Sequence, residues 1–106
     1  MRAVYFTERS DGWEAWRRDG MNSITDARRW ASRNGAFRLI VEHANGSISG
    51  HRRDHAKWRE KTFGLVIPMR YWYERRDGSL CLMSCEKAAR RVFATARNEK
   101  KIKRHK

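Results

Sequence analysis

Residues 5–12 read YFTERSDG, and residues 71–78 read YWYERRDG. Both stretches end in Asp-Gly, a hairpin turn signal. Each is followed by a serine that opens an Ala-Arg-Arg segment, SITDARRWASRN at 23–34 and SCEKAARRVFATARN at 84–98. The repetition predicts two ββα units. A chain of 106 residues is too short for two independent cores, so the units are expected to share one. Duplication and chance similarity of two arginine-rich stretches both fit the pattern.

Working outward, RAVYFTER and WEAWRR read as the arms of a first hairpin, closed by Asp19-Gly20. Ser23, three residues before Asp26, caps a helix over 24–34. Its apolar positions Ile24, Ala27, Trp30 and Ala31 recur at helical spacing until Asn34-Gly35. AFRLIVEHA and SISGHRR flank Asn45-Gly46, the pair suited to a type I′ turn. RDHAKWREK at 53–61 is polar and reads as a short helical turn or an exposed bridge. TFGLVIPMRYWYER reads as a long strand, with Pro68 favouring an edge or a bulge. Asp77-Gly78 turns it into SLCLM, and Ser84 caps a second helix over 85–99. That helix gathers Cys85, Ala88, Ala89, Val92 and Ala96 on one side and Lys87, Arg90, Arg91, Arg97 and Lys101 on the other.

The expected fold is therefore α+β: an antiparallel sheet built from hairpins, with two helices packed on one face, in the order ββα-ββ-ββα. One domain spans 1–99, made of a ββα unit at 1–35, a connecting hairpin at 36–52 and a ββα unit at 62–99. Residues 100–106 form a basic tail.

The chain carries 25 Lys plus Arg against 12 Asp plus Glu, a formal charge of +13. Residues 1–50 hold 8 basic and 6 acidic side chains, whereas residues 51–106 hold 17 and 6. Such a field attracts polyanions, and the partner is expected at the second half. Arginine outnumbers lysine 18 to 7, which favours bidentate contact with phosphate or carboxylate over plain solubilisation. No apolar run approaches the ~20 residues of a membrane span, and the N-terminus lacks a signal-peptide core, so a cytoplasmic location is expected. Two cysteines, Cys81 and Cys85, fit a reducing compartment.

Residues 3–52 resemble a family of short uncharacterised bacterial ββαββ domains. The likeness rests on Asp11, Gly12, Trp13, Gly20, Ala27, Ala31, Asn34, Gly35, Leu39, Ile40, Val41, His43, Asn45, Gly46 and Ile48. These are mostly turn and core positions, and the helix arrives earlier here than in that pattern. A weaker similarity runs to small phage-encoded proteins, anti-CRISPR inhibitors among them. Neither resemblance implies a catalytic residue.

Three elements carry the candidate nucleic-acid contacts. Arg52, Arg53, Lys57, Trp58, Arg59 and Lys61 form a basic cluster around an aromatic ring that suits base stacking, although a tryptophan also suits a core. Lys87, Arg90, Arg91 and Arg97 form the basic side of the second helix. Lys100, Lys101, Lys103 and Arg104 belong to a tail able to follow phosphates. Tyr71, Trp72 and Tyr73 alternate along a predicted strand and place an aromatic surface on one of its sides.

His51, His55, Cys81 and Cys85 allow a two-His, two-Cys zinc site to be drawn. The close Cys-x-x-Cys knuckle is missing, and Cys85 opens a helix on its apolar side. HRRDH at 51–55 contains two imidazoles and Asp54, a set able to serve RNA cleavage, but no accompanying nuclease pattern is present. No catalytic residue, metal or cofactor is expected. The reading is a non-enzymatic basic protein that binds DNA or RNA through phosphates with weak sequence preference. The alternative is a phage or mobile-element inhibitor docking on an acidic, or nucleic-acid-receiving, surface of a host protein complex.

Overall fold

The computed structural model describes residues 1–10, 12–68 and 85–98, with the side chain of Cys85 left aside. β1 (Arg2–Arg9) pairs antiparallel with β2 (Gly12–Arg18) on one side and with β3 (Arg38–Glu42) on the other. Between β2 and β3 runs α1 (Ile24–Arg33). Its N-terminus is capped by Ser23, whose Oγ accepts the Asp26 N–H at 3.1 Å. Gly35, at φ +72°, turns the chain out of the helix, as expected of a left-handed residue after a helix end. Residues 2–54 thus run ββαββ, an order of elements and not by itself a family.

β3 continues antiparallel into β4 (Ile48–Asp54), and β4 into β5 (Lys57–Lys61). A 3-10 turn at Phe63–Leu65 follows. α2 (Cys85–Thr95) leads to β6 (Arg97–Asn98), which lies parallel to β2. The six strands are ordered β5-β4-β3-β1-β2-β6.

β1 and β3, the inner strands, bury residues on both faces without alternation: Ala3, Val4, Tyr5 and Phe6 in one, Leu39, Ile40 and Val41 in the other. A strand apolar on both sides needs cover on both sides. α1 supplies one layer, packing Ala27, Trp30 and Ala31 on Ala3, Tyr5, Leu39 and Val41. The Tyr5 and Trp30 rings meet edge-on with centroids 4.6 Å apart. α2 supplies the other layer, packing Ala88, Ala89, Val92 and Phe93 on Val4, Phe6, Ala15 and Ile40, with Val66 and Ile67 beside them. Burying Phe93 alone contributes about 1.5–3 kcal/mol. Arg2 ties this side together: it bonds both Glu42 carboxylate oxygens at 2.8 Å and lies 4.9 Å from the Phe93 ring centroid.

Several expectations are corrected here. The α+β class holds, but the helices cover opposite faces of the sheet, and the sheet is mixed because β6 runs parallel to β2. The ββα-ββ-ββα order is not found. Residues 57–61 form a strand, because His55 and Ala56 both adopt positive φ (+53° and +66°) and close a two-residue turn. Asn45-Gly46 does not make a type I′ turn. Only Gly46 takes positive φ (+86°), and the His43 N–H donates to the Ser47 carbonyl across a three-residue loop. The long strand expected from Thr62 begins as a 3-10 turn. The remainder of that strand from Met69, with the Asp77-Gly78 turn and SLCLM, lies outside the described residues. α2 ends at Thr95, before residue 99, because the chain then pairs with the open edge of β2.

Candidate phosphate-binding face

Strand pairing decides which basic side chains share a surface, since residues directly opposite one another lie on one face. The register sets Phe6 against Arg38, Arg38 against Arg52, and Arg52 against Arg59. A row of three arginines therefore crosses β3, β4 and β5 on the face that α2 covers further along. Lys57, opposite Asp54, and Lys61, opposite Gly50, flank Arg59 on the same face. The 3-10 turn packs here too, with Phe63 and Val66 close above Gly50.

The side chains in this row are held by different means. Arg52 donates from Nε to Asp54 at 3.2 Å and from Nη1 to the Leu65 carbonyl at 3.1 Å. Arg38 stacks over Trp13, its Cζ 4.7 Å from the ring centroid, and lies 5.7 Å from the Phe37 centroid. Burial first, and the neighbouring Arg52 second, pulls the Arg38 pKa below the usual guanidinium range, opposed by Glu8. Among the described residues no carboxylate lies within ion-pair distance of Arg38, Arg59, Lys57 or Lys61.

The expected contact residues divide as follows. Arg52, Lys57, Arg59 and Lys61 come together. Lys87, Arg90 and Arg91 are exposed on α2, on the same side of the sheet; Arg90 bonds Glu86 at 3.3 Å and reaches the Gly46 carbonyl at 3.1 Å. Arg53 and Trp58 pair with each other on the opposite face. There Trp58 is half-buried against the α1 layer, and its indole N–H donates to Ser32 Oγ at 2.9 Å, a packing position. Arg97 sits on β6 at the far edge of the sheet, 5.6 Å from the Trp16 ring centroid and 3.5 Å from Glu14. With ~4.8 Å between strands, five steps separate it from β5 by about 24 Å. Lys100, Lys101, Lys103 and Arg104, like Tyr71, Trp72, Tyr73 and Cys81, lie outside the described residues.

The histidine motif also divides across β4. His51 is fully buried on the α1 face. Its Nδ1 lies 2.9 Å from Arg28 Nη2 and its Nε2 2.7 Å from Ser49 Oγ, which is 2.8 Å from His43 Nε2. Arginine only donates, so His51 Nδ1 accepts and its proton resides on Nε2. Asp54 points to the other face and serves Arg52, while His55 is exposed in the turn. Among the described residues no group of three His, Cys, Asp or Glu could hold a metal ion, and no helix is long and apolar enough to cross a membrane.

Arg38 and its aromatic supports, Trp13 and Phe37, were not expected as site residues. A two-residue turn at Asn45-Gly46 would have set Arg38 opposite Arg53; the three-residue loop sets it opposite Arg52, so the hairpin signal alone did not give this pairing. In comparisons with known proteins, no family model, no curated protein and no solved structure matches this chain.

Proposed function

We propose that this chain is a non-enzymatic nucleic-acid-binding protein that holds DNA or RNA through phosphates, on the α2 side of its sheet, with weak sequence preference. One observation carries the reading: Arg38, Arg52, Arg59, Lys57 and Lys61 share one face, with the exposed cations of α2 on the same side. Among the described residues the carboxylates on this side are already matched or outnumbered: Asp54 is engaged with Arg52, Glu42 with Arg2 and Glu86 with Arg90, while Glu8 acts on Arg38 from β1. A surface with an excess of cations supplies affinity without reading base edges.

The test is binding of short fluorescent single-stranded and duplex oligonucleotides at varied salt. Four phosphate contacts on a duplex weaken binding about 100-fold between roughly 50 and 200 mM salt. Arg59→Glu combined with Lys61→Glu should lower affinity strongly, while Arg53→Glu on the opposite face should leave most of it. Undetectable binding at low salt, or equal loss from both faces, overturns the proposal. So does a protein partner that survives nuclease treatment of a lysate while oligonucleotides do not bind.

A further inference from the structure

We propose that Arg38 and Arg52 form a built seat for a single phosphate group, and that this seat anchors one phosphate of the bound strand. The identity of the strand rests on the nucleic-acid reading above; the seat itself rests on geometry.

Arg38 is difficult to explain as a structural residue. Its Nε is buried and has no hydrogen-bond partner among the described residues. Its cross-strand neighbour is a second guanidinium, and like charges directly opposite one another destabilise a sheet. Leaving a buried donor unsatisfied is also costly. Among the described residues, what offsets this is the ring contacts with Trp13 and Phe37 and the Glu8 charge, which lies beyond ion-pair distance. An oxyanion placed between the two guanidinium groups would remove both penalties at once.

The pair is also prepared for such a ligand. Arg38 is held against aromatic rings, and Arg52 is fixed through Nε and Nη1, which leaves its Nη2 without a protein acceptor among the described residues. Phe37 lies beside both, 5.7 Å from Arg38 Cζ and 5.9 Å from Arg52 Cζ. Guanidinium groups already held in place lose little freedom on binding. A carboxylate presents two coplanar oxygens and is satisfied by one guanidinium fork. A tetrahedral phosphate can offer different oxygens to two forks on neighbouring strands, with Arg59 next in the row.

The arginine Nε–H resonances provide a direct readout in the full chain. Titration with inorganic phosphate, against chloride at matched ionic strength, should move the Arg38 and Arg52 signals saturably with phosphate alone. Arg38→Lys keeps the charge but removes the fork, so it should abolish the saturable shift of Arg52 and weaken oligonucleotide binding roughly tenfold. Arg53→Lys on the opposite face should do neither. Arg52→Lys, read at the Arg38 signal, gives the same test should Arg38→Lys fail to fold. Equal, unsaturating shifts with phosphate and chloride overturn the seat even where oligonucleotides bind. Saturable phosphate binding without any oligonucleotide binding supports the seat and overturns the nucleic-acid reading. Saturable phosphate binding with oligonucleotide affinity unchanged in Arg38→Lys overturns the claim that the seat receives a phosphate of the strand.

Discussion

Arg38 and Arg52 stand opposite each other on β3 and β4, two like charges on one face, with the Phe37 ring 5.7 and 5.9 Å from their guanidinium carbons. If the pair exists for a ligand, removing one member costs the fold little. Arg38→Met keeps the apolar stem against Trp13. It loses a cation–π contact of about 0.5–1 kcal/mol and relieves a cross-strand repulsion of about 0.2–1 kcal/mol. The expected change in unfolding free energy by urea titration is within about 0.5 kcal/mol. A loss well above 1 kcal/mol would make Arg38 a structural residue.

His51 predicts acid sensitivity. Burial, then the Arg28 charge, then His43 push its pKa from 6.5 down to about 4. The unfolded chain therefore takes up the proton first as pH falls. The stability due to neutral His51 is complete above about pH 6.5 and is lost between there and pH 4, a change of about 3 kcal/mol. Urea titrations at pH 7 and pH 5 should show the loss. His51→Gln, which can still accept from Arg28, should flatten the slope in this window. Glu42, whose pKa is lowered chiefly by its bonds to Arg2, responds only at lower pH. An unchanged slope in His51→Gln would assign the acid sensitivity elsewhere.

The β4–β5 turn places His55 and Ala56 in a conformation suited to Asn and Gly. Left-handed backbone costs an ordinary residue roughly 1–2 kcal/mol. The double change His55→Asn and Ala56→Gly should raise stability by about 1 kcal/mol, measured as a higher melting midpoint. No gain would mean that the exposed turn carries no strain.

Gly50 is expected to tolerate no side chain. A Cβ there would lie 2.8 Å from the Lys61 carbonyl oxygen, 3.1 Å from Val66 Cγ2 and 3.3 Å from Phe63 Cδ1. The first of these is backbone and cannot swing away. Gly50→Ala should destabilise by about 1–3 kcal/mol and should weaken oligonucleotide binding by displacing β5 with Arg59 and Lys61. A variant of full stability and affinity would show that the end of β5 at Lys61 and the 3-10 turn are both free to shift.

Much of the first half of the fold was legible in residue order. Ser23 and Asp26, Asn34-Gly35, and the apolar stretches on either side of Asn45-Gly46 mark α1 and the β3–β4 hairpin through local chemistry. The two-sided cover was also present as a signal, in the unbroken apolar runs Ala3–Phe6 and Leu39–Val41, but the apparent ββα repeat favoured a one-sided arrangement. β5 escaped because KWREK has the polar composition of an edge strand and its turn contains neither Gly nor Asn. Two of the six residues of the 52–61 cluster part from the others for the same reason: alternation along a strand sends Arg53 and Trp58 to the other face, which a loop would not do.

Residue order alone determined that this chain folds around aromatic and aliphatic strands, and that it carries a large cationic excess weighted to its second half. Both are properties of composition and short-range pattern. Which cations stand together was decided only by tertiary structure, because strand register and the side of the sheet each helix covers depend on contacts between distant residues. That is why Arg38, far from the basic segment in sequence, completes the arginine row, while Arg97 is carried to the opposite edge.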